Sequence, residues 1–439
     1  MQDKLYIKLA TIAVLSLLLL LPLSMIESQI TARSARQAAV LHNIAESAAG
    51  PQTLVGPVMA LRYRERVARK STDKQGEEYE IVDRIKILPP QKLAIDGEIN
   101  TETRCRGLYQ ARLFHLSARL VGSIDIPAHL GIDSTRNLID ARAELVFGVA
   151  DPRGVSNDPE VMINGKPYHF LPGTNNALAG QGVHLPLGMI DISGKQHYDF
   201  SLPLVLTGSE RLAIAPTANA TTVALKSNWP HPSFQGRFLP ASRSVSGEGF
   251  DANWQISHLA RNLDRALAAG TPGAVSETLD IGFVNPVNVY LKAERAVKYG
   301  VLFVVLTFAA FFLTEILRRL PIHPMQYLLV GLALAIFFLL LIALSEHFPF
   351  IAAYAISALA CIVLIGAYLS GALGSRLRGG VFGAGIASLY GVLYGVLISE
   401  DNALLMGTLI LFVALGATML ATRRFDWYRL SAPRIETGC

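Results

Sequence analysis

Residues 299–347 read YGVLFVVLTFAAFFLTEILRRLPIHPMQYLLVGLALAIFFLLLIALSEH. Two apolar runs, 299–316 and 327–345, flank a basic break at Arg318 and Arg319. A bilayer core of about 30 Å needs roughly 20 such residues in helical form. Three more runs follow at 351–373, 381–398 and 403–421. The breaks alternate in chemistry. Arg318 and Arg319 fill the first, Glu346 and His347 the second, Arg376 and Arg378 the third, and Glu400 and Asp401 the fourth; Arg423, Arg424 and Arg429 follow the last run. Lys and Arg collect in cytoplasmic loops, so the alternation predicts which side each break faces. The fold class expected is a polytopic α-helical membrane protein.

One further apolar run, 7–26, opens the chain behind Lys4 and Lys8. A basic front and an apolar middle also describe a cleavable signal peptide. This run is longer than a usual signal core, and no A-x-A site follows it. It reads as an uncleaved anchor, which makes six spans. Residues 1–6 then form a cytoplasmic N-terminus, 27–298 lie outside, and 422–439 form a cytoplasmic tail.

Composition hides this division. The chain has 439 residues, 51% hydrophobic and only 17% charged, with mean hydropathy +0.37. Residues 27–298, by contrast, have the spread of charge, Pro and Gly of a globular domain large enough for a real core. The net charge of +5 comes in good part from the loop arginines. No basic stripe with interleaved aromatics appears, which excludes nucleic acid as a partner class. Of three cysteines, Cys105 is external, Cys361 lies in a span and Cys439 ends the chain. They offer no disulfide framework; Cys105 is expected either to be buried, the more common place of a free thiol, or to pair between chains.

The external segment starts with ESQITARSARQAAVLHNIAESAAG (27–50), Ala-rich and without internal Pro. It reads as a helix continuing the first span until Gly50-Pro51 stops it. A strand is expected around 53–63, then a charged stretch of Arg62, Arg64, Arg66, Arg69 and Lys70, read as a solvated strand end. Period-2 alternation marks strands at 79–88 and 141–149, and 107–126 fits a strand with its first part ambiguous. Asn164-Gly165 between 161–163 and 168–171 is a strong hairpin signal. Asp151-Pro152-Arg153-Gly154 reads as a turn. Further strands fit 198–206, 211–216, 221–227 and 252–257, a short helix fits 259–269, and 287–297 leads amphipathically into the second span. Short strands with Gly/Pro/Asp breaks predict a sandwich or barrel-like β domain.

Motifs for chemistry are few. His115, His129, His169, His184, His197, His231 and His258 lie outside H-x-x-x-H and H-E-x-x-H spacing, so no metal and no cofactor is called for. No G-x-S-x-G elbow is present. Ser244 and Ser246 beside Gly247 and Gly249 read as a turn, and Asp151 and Asp158 as turn chemistry rather than paired catalytic acids. In the fifth span, Gly379, Gly383, Gly391 and Gly395 make two G-x-x-x-G pairs. Small residues at that spacing let membrane helices pack closely, or form a face for a second copy of the chain. The middles of spans two to six carry no ionisable residue, which weighs against proton coupling.

WPHPSFQGRFLPASRSVSGEGFDANWQISHLARNL (229–263) resembles the signature of the CreD family. HPMQYLLVGLALAIFFLLLIALSEHFPFIAAYAISALACIVLI (323–365), TRRFDWYRL (422–430), GPVMALRY (56–63) and FGVADPRG (147–154) resemble other parts of it, in order. The resemblance implies an inner-membrane protein of Gram-negative bacteria tied to cell-envelope integrity. It also implies induction by the Cre two-component system, colicin tolerance, and β-lactam and envelope-stress phenotypes. It implies no reaction and no catalytic residue. Trp229, His231, Phe234 and Phe238 read first as packing a loop onto the β core, and functionally as a rigid aromatic ledge for a partner.

The expectation is therefore a multi-pass protein of the bacterial inner membrane with a β-rich periplasmic domain between spans one and two. Its expected role is non-enzymatic maintenance of envelope integrity under antibiotic or envelope stress. Membrane lipids, a periplasmic protein or envelope ligand, and a second copy of the chain are the candidate partners. A lipid or small-amphiphile transporter is the alternative, and an envelope-modifying enzyme the third reading.

Overall fold

Alternating apolar and polar residues dominate the middle of the chain, and a uniform apolar character its end; these two patterns fold as two separate units. The computed structural model describes residues 2–69, 78–107, 109–133, 137–174, 180–260, 277–283, 289–318, 322–372, 374–399 and 403–423. One unit is Ala39–Pro286, the other Met1–Ala38 with Val287–Cys439.

The first unit is built from strands β1 (Gln52–Arg69), β2 (Glu78–Leu88), β3 (Lys92–Arg106), β4 (Tyr109–Ile126), β5 (Asn137–Val149), β6 (Glu160–Ile163), β7 (Lys166–His169) and β8 (Leu171–Pro172). It continues with β9 (Gly182–Met189), β10 (Gln196–Ser209), β11 (Arg211–Ala215), β12 (Ala220–Ser227), β13 (Ser233–Gly236), β14 (Ser242–Ser246), β15 (Gly249–Ser257) and β16 (Leu279–Gly282). One sheet runs β13-β16-β11-β1-β5-β9-β8 with β2 also on β1; the other runs β14-β15-β12-β3-β4-β10-β6-β7. Period-2 patterning supplies the inner faces. On β4, Leu116, Ala118, Leu120, Ile124 and Ile126 point inward, and on β10, Phe200, Leu202, Leu204 and Leu206 do. Leu61, Leu145 and Phe147 from the first sheet share one buried cluster with them, so the unit is a two-layer β sandwich.

Long β1 pairs with β5 and with two further strands, β11 and β2. Gln52–Val55 pair with β11 in parallel, and Met59–Arg69 pair with β2. The change falls at Gly56-Pro57, where the register against β5 shifts. Gly56 takes φ +102°, with its Cβ position 3.0 Å from the Val146 carbonyl oxygen, so only glycine fits. The Asn164-Gly165 turn joins β6 to β7 with φ 48° and 78°, both positive as a type I′ hairpin requires.

Two expectations change here. Cys105 is exposed, not buried. It pairs with Gln110 near the tip of the β3–β4 hairpin, where Glu102–Arg106 run beyond the core and both faces meet solvent. Strand β3 itself went unread, because Gly97 interrupts the apolar face that Leu93, Ile95 and Ile99 bury. Of the helix expected at 259–269, His258–Ala260 form a single 3-10 turn, and 261–269 lie outside the described residues.

The second unit begins with α1 (Gln2–Leu18) and with α2 (Leu20–Ala48) as far as Ala38. Pro22 has no N–H for the Leu18 carbonyl, which interrupts the ladder there. Bonds from Leu19 to Leu15 and from Leu23 to Leu19 carry it across. Then come α3 (Val289–Arg318), α4 (Pro324–Ser345), α5 (Phe350–Ala372), α6 (Arg376–Ile398) and α7 (Ala403–Thr422). Among the described residues, five helices are long and apolar enough to cross a membrane: Tyr6–Ala45, Val289–Ile316, Pro324–Ser345, Phe350–Ala372 and Arg376–Ile398; Leu405–Leu420 is a shorter apolar helix. The β-rich unit lies in sequence between the first of these and the rest. Helix α4 starts on a capping box, with His323 Nδ1 accepting from Met325 N and Gln326 answering to His323 N. The helices meet around aromatic side chains. Phe337 lies 4.5 Å from Tyr390 and 5.4 Å from Tyr354, whose hydroxyl donates to the Tyr390 carbonyl at 2.7 Å.

Candidate functional site

The aromatic segment 229–240 follows β12 and folds back along the edge where the two sheets meet. Asn228 fixes its start, its Oδ1 accepting from Thr101 N at 2.9 Å and from Thr101 Oγ1 at 3.0 Å. Trp229 is buried, and its indole N–H donates to the His231 carbonyl at 2.8 Å. The Arg112 guanidinium lies 4.2 Å over the indole face, a cation–π contact strengthened by desolvation. That same burial lowers the Arg112 pKa. Phe234, on β13 of one sheet, stands edge-on to Phe250 at 5.5 Å and Trp254 at 5.8 Å on β15 of the other. The Trp254 indole donates to the Phe238 carbonyl at 3.2 Å, and Arg243 lies 5.7 Å over Phe234.

The structure thus brings Phe234 and Phe238 together around Trp254, and turns Trp229 inward beside Arg112. The Phe234 ring staples one sheet to the other. The solvent-facing remainder of the ledge is His231, Gln235, Arg237 and Leu239. The two stacking arginines were not legible, since Arg112 comes from a strand distant in sequence.

Gly379 and Gly383 on α6 both face α5. A Cβ on Gly379 would stand 2.6 Å from the Ser370 backbone nitrogen, and Gly383 lies against Gly366 at 3.9 Å. Gly395 meets only the Met406 methyl at 3.7 Å, and Gly391 has nothing within 4 Å. The first pair touches a neighbouring backbone; the second pair does not.

Charged residues at the ends of the apolar helices form partnerships that sequence reading missed. Lys8 on α1 pairs with Glu315 on α3; the Tyr327 hydroxyl donates to Glu315 at 3.1 Å, and Lys8 also donates to the Ile322 carbonyl at 3.1 Å. Arg33 on α2 grips both oxygens of Glu346 at 2.5 and 2.6 Å, and the Tyr290 hydroxyl donates to the same carboxylate at 3.1 Å. At about 1.5 Å per residue, Lys8 and Arg33 stand roughly 38 Å apart along α1 and α2. That exceeds a hydrocarbon core of about 30 Å and fits within the ~40–45 Å that includes headgroups. Each acid at a span end was legible; its need for a partner was the unused signal.

Histidines of the β unit acquire carboxylates across strands. His115 joins Glu102 and Thr207, each at 3.1 Å. His197 joins Asp125 at 2.6 Å and Asp199 at 3.1 Å, and these acids raise its pKa. The Arg153 guanidinium, at 2.7 and 2.9 Å, holds the Asp151 carboxyl below its usual range, with the Gly50 and Arg153 backbone N–H groups adding to it. Asp158 stands apart from it, 3.6 Å from His169. Among the described residues, no three His, Cys, Asp or Glu side chains form a group that could hold a metal ion.

Comparison with known proteins gives the lineage. The model of the family described as inner membrane protein CreD matches residues 4–428. Inner membrane protein CreD of Escherichia coli K12 is 37% identical over 440 aligned residues, covering 100% of this chain and 97% of that protein. Two crystal structures of an M1 zinc metallopeptidase from Deinococcus radiodurans align with 44% of this chain and 42% of theirs at 10% identity, with TM-scores of 0.23 and 0.24. The match runs through both the β sandwich and the apolar helices, and the chain belongs to the CreD family of inner membrane proteins.

Proposed function

We propose that this protein maintains cell-envelope integrity under envelope or antibiotic stress through non-catalytic contacts made by its β sandwich on the periplasmic side. The observation that carries this reading is the use of the aromatic segment. Its Phe234 ring joins the two sheets, and the segment presents His231, Arg237 and Leu239 on that edge, the form suited to docking a periplasmic protein or envelope ligand. In this reading α7 is a sixth span, and both termini are cytoplasmic. The alternating Arg-rich and acidic breaks support that orientation.

A complementation experiment tests it. Cells lacking their CreD-family protein receive the full chain or residues 1–320, and membrane level and folding are checked before a detergent or β-lactam challenge. The full chain restores resistance, and so does a folded 1–320 product. Absence of rescue by the full chain refutes the integrity role. Rescue by the full chain but not by a folded 1–320 product moves the function to the later helices.

A further inference from the structure

Helices α3 and α6 touch through Phe311 and Phe382, whose ring centroids lie 4.7 Å apart, and leave beside that contact an apolar cleft in two lobes of about 520 and 630 Å³ whose walls share Ala310 and Leu389; α7 borders the larger lobe. Each lobe alone falls in the size range of ligand sites, about 300–1,000 Å³. The larger is walled by aliphatic side chains such as Leu313, Val392, Leu409 and Val413. The smaller is lined by Phe311, Phe382 and Gly385, and carries one charge, Arg378, in the first turn of α6. Thr314, which also lines it, spends its hydroxyl on the Ala310 carbonyl at 2.8 Å. No acidic side chain lines either lobe among the described residues.

We infer that this cleft holds one anionic phospholipid of the surrounding bilayer, an acyl chain in the two lobes and the phosphate on Arg378. Three observations converge. The cleft opens beside α3 and α6, both long and apolar enough to cross a membrane, in an inner membrane protein, so phospholipid is the medium at its mouth. Its walls suit hydrocarbon. Its single cation sits at the end of the span, at the depth where a phosphate lies, and a guanidinium matches a phosphate's geometry. Gly385 leaves the wall open: a Cβ built there meets nothing within 4 Å. This inference concerns a resident lipid and is independent of the role proposed for the β sandwich.

Native mass spectrometry of the detergent-purified full chain tests it, with synthetic phosphatidylglycerol and phosphatidylcholine of identical acyl chains as the probes. The wild type retains one phosphatidylglycerol about fivefold over phosphatidylcholine, the discrimination one interfacial arginine provides. Arg378→Gln brings the two lipids to parity while the protein melts as wild type. Gly385→Phe fills the cleft and lowers retention of both; where it fails to fold, Gly385→Leu serves the same purpose. Equal retention of the two lipids by the wild type would overturn the inference, as would a preference that survives Arg378→Gln. A dimer that carries neither lipid, and that Gly385→Phe splits, would show a second copy of the chain in the cleft and overturn it too.

Discussion

The β sandwich and the helical unit solve the same problem, fixing one arrangement of a chain, with different forces. In the sandwich, apolar side chains alternate inward and water leaves the core, so the hydrophobic effect decides the fold. Around the helices, lipid is as apolar as leucine, and that force has nothing to discriminate. Specificity there comes from close backbone approach at Gly379 and Gly383, from aromatic contacts around Phe337, and from the Lys8–Glu315 and Arg33–Glu346 pairs at the two ends. The lesson is that large buried rings should matter most in one unit, and small residues and end charges in the other.

The sharpest break of this contrast is Trp254→Ala. Its side chain is fully buried, joins both sheets and donates to Phe238. The loss should be about 3–5 kcal/mol, read from chemical unfolding followed by the β circular dichroism signal, with the helical signal unchanged. Next comes a matched pair in α6. Gly379→Leu drives a side chain into the Ser370 backbone and should destabilise the helical unit by about 1–3 kcal/mol. Gly391→Leu, with open space around it, should stay within about 0.5 kcal/mol of wild type in a detergent melt. Equal effects at the two positions would show that the crossing at Gly366 does not set the packing.

Glu346→Gln removes the charge held by Arg33 and Tyr290. Arg33 is 48% exposed, so solvent screens the pair and the loss should be about 1–2 kcal/mol. It should appear in the helical melt and diminish in high salt. The smallest effect belongs to His197. Asp125 and Asp199 raise its folded pKa above 6.5, so its contribution is present below that pH and disappears as pH rises through the folded value. His197→Asn should flatten the stability–pH curve of the sandwich across that interval; an unchanged slope would assign it to other groups.

Legibility followed the same division. Uniform apolar runs were readable because a bilayer imposes length and composition at once, and the Asn164-Gly165 turn was readable because positive φ at two positions selects those residues. Strand β3 was not, since Gly97 breaks the apolar face that Leu93, Ile95 and Ile99 otherwise mark. Cys105 was misplaced because a free thiol's usual burial says nothing about a hairpin that outruns its core. At the candidate ledge, the aromatic residues stood out in sequence, but their inward direction depended on Arg112, Arg243 and Trp254, which only the sheet order brings near. Glu346 stands out in sequence at a loop end, while Arg33 becomes its partner, and Lys8 that of Glu315, only through the path of the first helix.

The central claim, a β sandwich held outside the cell membrane and working there, is tested most directly by its exposed thiol. Full-length protein carrying Cys439→Ser is treated in intact spheroplasts with a membrane-impermeant maleimide, with Cys361 buried in α5 as the internal control. The expected result is labelling of Cys105 without lysis and none of Cys361. Labelling of Cys105 only after lysis would place the sandwich in the cytoplasm and contradict the claim.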